Sequence, residues 1–345
     1  MNRGVLFAAR LVGARLGEGR RLMRLKPRLL CIWLVIAGCV SFAQGGAVVE
    51  RFNPKSYVVR VGAEVALESG IVSELVINLP RPEDSQYQDI VPRNPANADE
   101  HKYPETGDTY QLFQLVSKGK PGGGKTYTAA SEYTVTLYEI QTNFDAIDPL
   151  PYNTGSDLYR RYTAKQGDYV VPNHPRIVRI ADSLGGGTDA VGYARRAYEY
   201  VAKNFTYKNP YTGLHTLDEI FASGGGDCGS FSSVFVSVLR RKGIPARHLV
   251  GRKANGELHI MAEFYVEGNG WIPVDATYRN DKPGVDYFGR IRDVDRMLVL
   301  SRDVWLTVLG TSKPEKVGLL QTFHFWWWGK KCKFNSRDLF SITAF

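Results

Sequence analysis

Gly224-Gly225-Gly226-Asp227-Cys228-Gly229-Ser230-Phe231 decides how this chain of 345 residues is read. Beyond the glycines, Phe231, Val234, Phe235, Val238 and Leu239 recur at offsets of three and four, which lays one apolar stripe along a helix. Asp227 suits the N-cap, and Gly243 followed by Ile244-Pro245 suits the stop. Cys228 therefore opens a buried helix directly after a flexible run. A thiol there feels the partial positive charge of the helix N-terminus and its free N–H groups. Both favour thiolate, so its pKa is expected below the ordinary value of about 8.5. The Cys228 N–H can also face an oxyanion, and the glycines let a substrate backbone approach. The competing use of Cys228 is a bridge to Cys332.

A nucleophilic thiol needs a base. Of the six histidines, His101, His174, His215 and His324 fall in loops or the tail, and His248 lies in a strand with Leu249 and Val250. His259 differs. Along Leu258–Val266 the alternation puts Leu258, Ile260, Ala262, Phe264 and Val266 on one face, and His259, Met261, Glu263 and Tyr265 on the other. His259 thus leaves the apolar layer at the start of the strand. Gly268-Asn269-Gly270 turns this strand into the next, Trp271–Thr277, with Asp275 near its far end. A loop of 268–270 pairs 263 with 275. That sets Asp275 on the face of His259 but about 13 Å short along an ideal strand. Contact between them then requires a bulge or strong strand coiling.

The stretch Gly226-Asp227-Cys228-Gly229, with Leu239-Arg240-Arg241-Lys242-Gly243-Ile244-Pro245-Ala246-Arg247, His259, Glu263 and Trp271-Ile272-Pro273-Val274-Asp275-Ala276-Thr277, resembles the transglutaminase-like superfamily. The resemblance covers about 175–280. It implies a papain-like core and a triad of Cys228, His259 and Asp275, in that order. Met261 departs from it, since the family often has an aromatic there, which bears on the substrate groove. The family's scheme implies attack of the thiolate on an amide carbonyl, a proton given by His259 to the leaving amine, and a thioester resolved by water or an amine. No metal or cofactor is required. The triad does not distinguish a peptidase or amidase from a protein-glutamine acyltransferase; hydrolysis is favoured slightly, because aminolysis in water must exclude water. The alternative is a non-catalytic binding or assembly module of the cell envelope. Tyr207 is a candidate for a side-chain oxyanion donor.

Working outward, residues 155–310 read as α+β, helices first and antiparallel sheet second. Ile177–Leu184 and Asp189–Asn204 have helical spacing. Ser56–Leu67, Gly70–Leu79, Tyr110–Val116 and Tyr133–Gln141 read as strands of an antiparallel, sandwich-like β-domain over 44–150. Residues 151–174 read as a linker, 175–310 as the catalytic domain and 311–345 as an aromatic and basic tail.

Charge is segregated along the chain. Residues 1–43 hold eight Lys/Arg against one acid, and 311–345 hold six against two, which leaves 44–310 at −2. No basic face of the folded body is implied, so nucleic acid is not an expected partner. The basic start precedes an apolar run, Leu29–Val40, then Ser41 and Ala43, the layout of a secretory signal that begins at Met1 or Met23. The run is short for a membrane span of about 20 residues. Two processing routes stay open: cleavage before Gln44, or lipidation of Cys39 in Ile36-Ala37-Gly38-Cys39. The expected location is the periplasm or outer cell surface, with a protein or peptide substrate in the envelope. Membrane contact would come through a lipidated Cys39 or the tail Phe323-His324-Phe325-Trp326-Trp327-Trp328 with Lys330, Lys331 and Lys333. The alternative for the tail is packing against the body or a poorly ordered end.

Three motifs read as decoys. Gly119–Thr126 matches a phosphate loop, but strand rather than helix follows it. Tyr103-Pro104-Glu105-Thr106-Gly107 reads as a surface turn. Cys228, His248 and His259 lack the paired spacing of zinc ligands.

Overall fold

Val59, Val61, Ala63 and Val65 alternate with Val58, Arg60, Gly62 and Glu64, a period of two that holds from Tyr57 to Leu67 within strand β1, Val49–Pro80. The computed structural model describes residues 48–94, 97–116, 122–187, 189–208, 213–277 and 284–345. The expected leader, with Met23, Cys31 and Cys39, and the start of the phosphate-loop motif lie outside these residues.

After β1 come β2 (Gln88–Asn94), β3 (Asp99–Lys102), β4 (Thr109–Val116) and β5 (Lys125–Thr142). Helices follow: α1 (Asp157–Thr163), α2 (Pro175–Ser183) and α3 (Ala190–Asn204). Then β6 (Thr206–Tyr207), α4 (Leu217–Ser223), β7 (Gly225–Gly226) and α5 (Cys228–Arg241) lead into the hairpins of β8 (Ala246–Lys253), β9 (Leu258–Val266) and β10 (Gly270–Val274). The chain closes with β11 (Arg290–Ile291), β12 (Met297–Arg302), β13 (Leu306–Leu309), β14 (Pro314–Val317), β15 (His324–Asp338) and β16 (Ser341–Ala344).

The fold is α+β. The β-region forms one antiparallel sheet in which β1 pairs β5 along its first half and β4 along its last six residues. Gly70, at φ +90°, lets β1 bend between those halves. Val59, Val61, Ala63 and Val65 from one half then meet Ile77 and Leu79 from the other in one apolar cluster with Phe113 and Val135. One curled strand thus serves both layers expected of a sandwich. The second sheet, ordered β10-β9-β8-β12, packs one face on α5, with Phe264, Val266, Phe231, Val234, Phe235 and Val238 in a common core. Truncating a buried phenylalanine in such a core costs about 3–5 kcal/mol.

Three segments depart from expectation. The 151–174 linker holds α1, and its Tyr162 and Val170 are buried. The tail is strand: β15 and β16 pair β1 in one register, Asp338 opposite Ala63 and Ser341 opposite Arg60. The turn after Tyr103 has its tyrosine fully buried, while Glu105 accepts from the Thr307 hydroxyl and backbone N–H and from Lys316. The chain from Gly45 to Phe345 packs as one unit. A buried polar knot helps to join its two sheets. Glu263 on β9, 1% exposed, accepts from Arg247 at 2.5 Å and from Tyr87 Oη at 2.5 Å, and Arg247 lies 3.9 Å over the Trp271 ring. Burial and the Glu263 charge hold the Tyr87 pKa well above its ordinary value, so this phenol stays a donor.

Candidate active site

Three short features place Cys228. Gly224, at φ +71°, ends α4 in the left-handed region, and Gly225–Gly226 then run parallel to Thr206–Tyr207. A Cβ on Gly225 would lie 1.9 Å from the Thr206 carbonyl oxygen, so only glycine allows this pairing. Asp227 then caps α5: its Oδ1 accepts from the Ser230 N–H at 3.0 Å and from the Ser230 hydroxyl at 3.1 Å. Cys228 is the first helical residue, and among the described residues its N–H and that of Gly229 have no acceptor. A Cβ on Gly229 would stand 3.2 Å from Ile260 Cδ1, so the glycine lets the helix start approach β9 beside His259.

The β9–β10 register differs from the expected one. Val266 faces Gly270, and no bulge interrupts the pairing to Val274. Gly268 at φ +79° and Gly270 at φ +94° permit this connection, which again has three residues but is shifted by one to 267–269, and it is closed by the Asn269 N–H on the Val266 carbonyl. Extended by one residue, the register sets Asp275 opposite Met261. His259 and Asp275 are then diagonal neighbours on one face, within reach of two side chains and without coiling. His259 Nε2 lies 2.5 Å from Asp275 Oδ2, and Asp275 Oδ1 accepts from the Thr277 N–H at 3.1 Å. The expected parity was right; the expected offset was two residues too long.

β9 is also covered on both faces rather than one. Met261 packs with Tyr87, Ile140 and Leu249 against the first sheet, and His259 is 5% exposed. Leu258, expected in the apolar layer, is 52% exposed at the strand end.

With Nε2 committed to Asp275, Nδ1 is the nitrogen left for the Cys228 sulfur, which hydrogen-bonds the His259 side chain. Burial works to lower the His259 pKa, but the Asp275 carboxylate and the Cys228 sulfur outweigh it and raise it to about 10. The imidazole therefore holds a proton at neutral pH. Cys228 and Cys332 are both free and half-buried, so the bridge considered from sequence is not formed. Tyr207 sits opposite Gly226, its ring against Phe231.

His248 lies elsewhere, in a buried cluster. Its Nε2 meets Ser233 Oγ at 3.1 Å, and its Nδ1 lies 3.4 Å from Asp303, which accepts from Arg240 at 2.8 Å. Among the described residues no group of His, Cys, Asp and Glu has the arrangement of a metal site. A cleft of about 820 Å³, lined by Leu150, Tyr152, Tyr193 and Ile244, lies at the Gly243 end of α5. Cys228 opens the other end, about 20 Å away along a helix of 14 residues.

One residue of the site had little signal in the sequence. Gln321, 7% exposed, donates Nε2 to the Gly251 carbonyl at 2.6 Å and to the His259 carbonyl at 2.9 Å. Its only mark is a polar side chain after Leu319-Leu320 and before Phe323. Gln321→Leu leaves two buried carbonyls without this donor, an expected cost of about 1–3 kcal/mol in denaturant unfolding. Alkylation of Cys228 should slow as the His259 backbone loosens, and Gln321→Asn should recover neither because its amide is one methylene short.

A thiol at a helix start, an imidazole on an antiparallel strand and a carboxylate on the next define a cysteine–histidine–aspartate site in an α+β core. Residues 178–276 match the model of the transglutaminase-like superfamily, so this part of the chain is a transglutaminase-like domain. The chain is 29% identical over 122 residues to an uncharacterized protein of Haemophilus influenzae, a match over 27% of this chain and 33% of that protein. It is 32% identical over 90 residues to a protein-glutamine gamma-glutamyltransferase of Pseudomonas aeruginosa, over 22% of this chain and 13% of that one. Both matches thus span a third or less of the relatives' length. Among solved structures, a Cytophaga hutchinsonii protein aligns with 86% of this chain and all of its own at 11% identity and TM-score 0.48. The periplasmic domain of TgpA from Pseudomonas aeruginosa aligns with 64% of this chain and 91% of its own at 18% identity and TM-score 0.33.

Proposed function

We propose that this chain is an exported cysteine enzyme that transfers acyl groups at amide bonds of protein, peptide or wall-peptide substrates through a thioester on Cys228. The observation that carries the reading is the continuous path from the Cys228 sulfur through the His259 ring to Asp275 Oδ2. His259 holds the thiol proton, and the sulfur attacks the carbonyl carbon. The oxyanion forms toward the Cys228 N–H. The C–N bond then breaks, His259 gives the held proton to the leaving amine, and a thioester remains. Water attacks next: its proton passes to His259, the acid leaves, and the thiol is restored. An amine in place of water yields a cross-link. Hydrolysis is favoured because Cys228 is half-buried rather than enclosed, and aminolysis needs water excluded. Export rests on the basic and apolar leader.

Iodoacetamide labelling tests the activation. Cys332 is the internal comparator, free and also half-buried. Below neutral pH Cys228 should label at least about tenfold faster, and His259→Ala should remove that advantage. Equal rates in the native protein would overturn the proposal. A peptide-library cleavage assay run beside fluorescent-amine incorporation then separates hydrolase from cross-linker. Silence in both, with the thiol free, would identify an inert module.

A further inference from the structure

We propose that the corner formed by Ile71, Trp327, Trp328, Lys330 and Lys331 is a docking surface for an anionic lipid bilayer. β15 lies along β1 and opens to solvent where the two strands bend together. Gly70 sits at φ +90° and Lys331 at φ +51°, and the register slips between Ser69 and Ile71. Trp327 lies opposite Leu75, Trp328 opposite Glu74 and Lys330 opposite Ile71, and the Lys331 carbonyl lies against Gly70, so the five residues share one edge of the sheet. Three of them are large apolar groups left in water: Ile71 is 45% exposed, Trp327 45% and Trp328 69%. Trp327 is braced from behind by the Phe325 and Phe334 rings, at 5.5 and 5.0 Å between centroids, so it is presented rather than loose.

The charges at the corner point to the occupant. Lys333 pairs with Glu68 and Arg337 with Glu64, but Lys330 and Lys331 have no carboxylate partner among the described residues. The surplus is local, since residues 44–310 carry −2 and 311–345 carry +4. Indole rings prefer the boundary between acyl chains and headgroups, and unpaired lysines beside them are drawn to anionic headgroups. The same lysines oppose edge-to-edge strand pairing, which disfavours a second copy of this chain as the occupant.

Hydrogen exchange of the full chain tests this locally, whatever the N-terminal segment does. With vesicles of phosphatidylglycerol and phosphatidylcholine, peptides spanning 324–338 should exchange about tenfold more slowly, while those of α5 should not change. Pure phosphatidylcholine, or roughly 0.5 M salt, should remove most of the effect. Trp328→Ser and Lys330→Glu, both at exposed positions, should each abolish it while keeping the native alkylation rate of Cys228. Unchanged exchange over 324–338 with anionic vesicles would overturn the proposal. So would protection in vesicle-free solution that rises with protein concentration, which would assign the strand edge to a second copy.

Discussion

Asp275→Asn should slow both Cys228 alkylation and acyl transfer by about 10²–10⁴-fold while leaving the fold intact. Oδ2 of Asp275 accepts from His259 Nε2 at 2.5 Å, and its charge is the leading cause of the raised His259 pKa. An Asn amide in the same place can donate to Nε2 instead. The ring then keeps its proton on Nδ1, loses the countercharge and no longer supports a negative sulfur. The pH dependence has a definite sign. A histidine raised from 6.5 to about 10 contributes stability that is fully present below pH 6.5 and is lost as pH rises through about 10. The difference in unfolding free energy between native protein and His259→Gln should therefore shrink across that window. Asp275→Asn should move the loss toward neutral pH. A native-like alkylation rate in Asp275→Asn would separate the carboxylate from the chemistry.

Much of this arrangement was legible from local rules. The α5 stripe, its Asp227 cap and the stop at Gly243 are short-range features, and each is found where its pattern places it. The parity of His259 and Asp275 follows from strand alternation alone. Their offset does not. It depends on whether Gly270 ends the turn or opens the strand, and a glycine at φ +94° allows both. Pairing Val266 with Gly270 moved Asp275 two positions closer and removed the need for a bulge.

Long-range contacts were harder to foresee. Alternation on β9 showed that Met261 and Glu263 share a face with His259, but not that the first sheet covers that face with Tyr87 and Ile140. The tail gave a composition, Trp and Lys, without a partner. Its pairing with β1 joins residues 246 to 275 positions apart, from Asn78 opposite His324 to Ala63 opposite Asp338. Gln321 belongs to the same class, reaching the His259 carbonyl from 62 residues away.

Asp303→Ala should destabilise the whole molecule by about 3–5 kcal/mol, as much as truncating a buried core phenylalanine. Arg240 and Asp303 are both fully buried, 2.8 Å apart. The guanidinium also donates to the Ala246 and Ala164 carbonyls and to Gln166 Oε1, so every arm of the fork is used. Asp303 in turn meets His248, which meets Ser233 on α5. Burial would raise the Asp303 carboxyl, but Arg240 and His248 hold it down at about 2. A carboxyl lowered from 3.8 to about 2 contributes stability present above pH 3.8 and lost as pH falls through about 2. Removing it leaves the Arg240 charge buried without its countercharge, and alanine is strained at φ +62°. Asp303→Asn tolerates that backbone and keeps a hydrogen bond, so it should recover part of the loss and isolate the charge. Because Arg240 lies near the far end of α5 from Cys228, Asp303→Asn should lower the denaturant midpoint and leave the Cys228 alkylation rate of the folded protein unchanged. A slowed thiol with an unchanged midpoint would instead place this buried cluster in the chemistry.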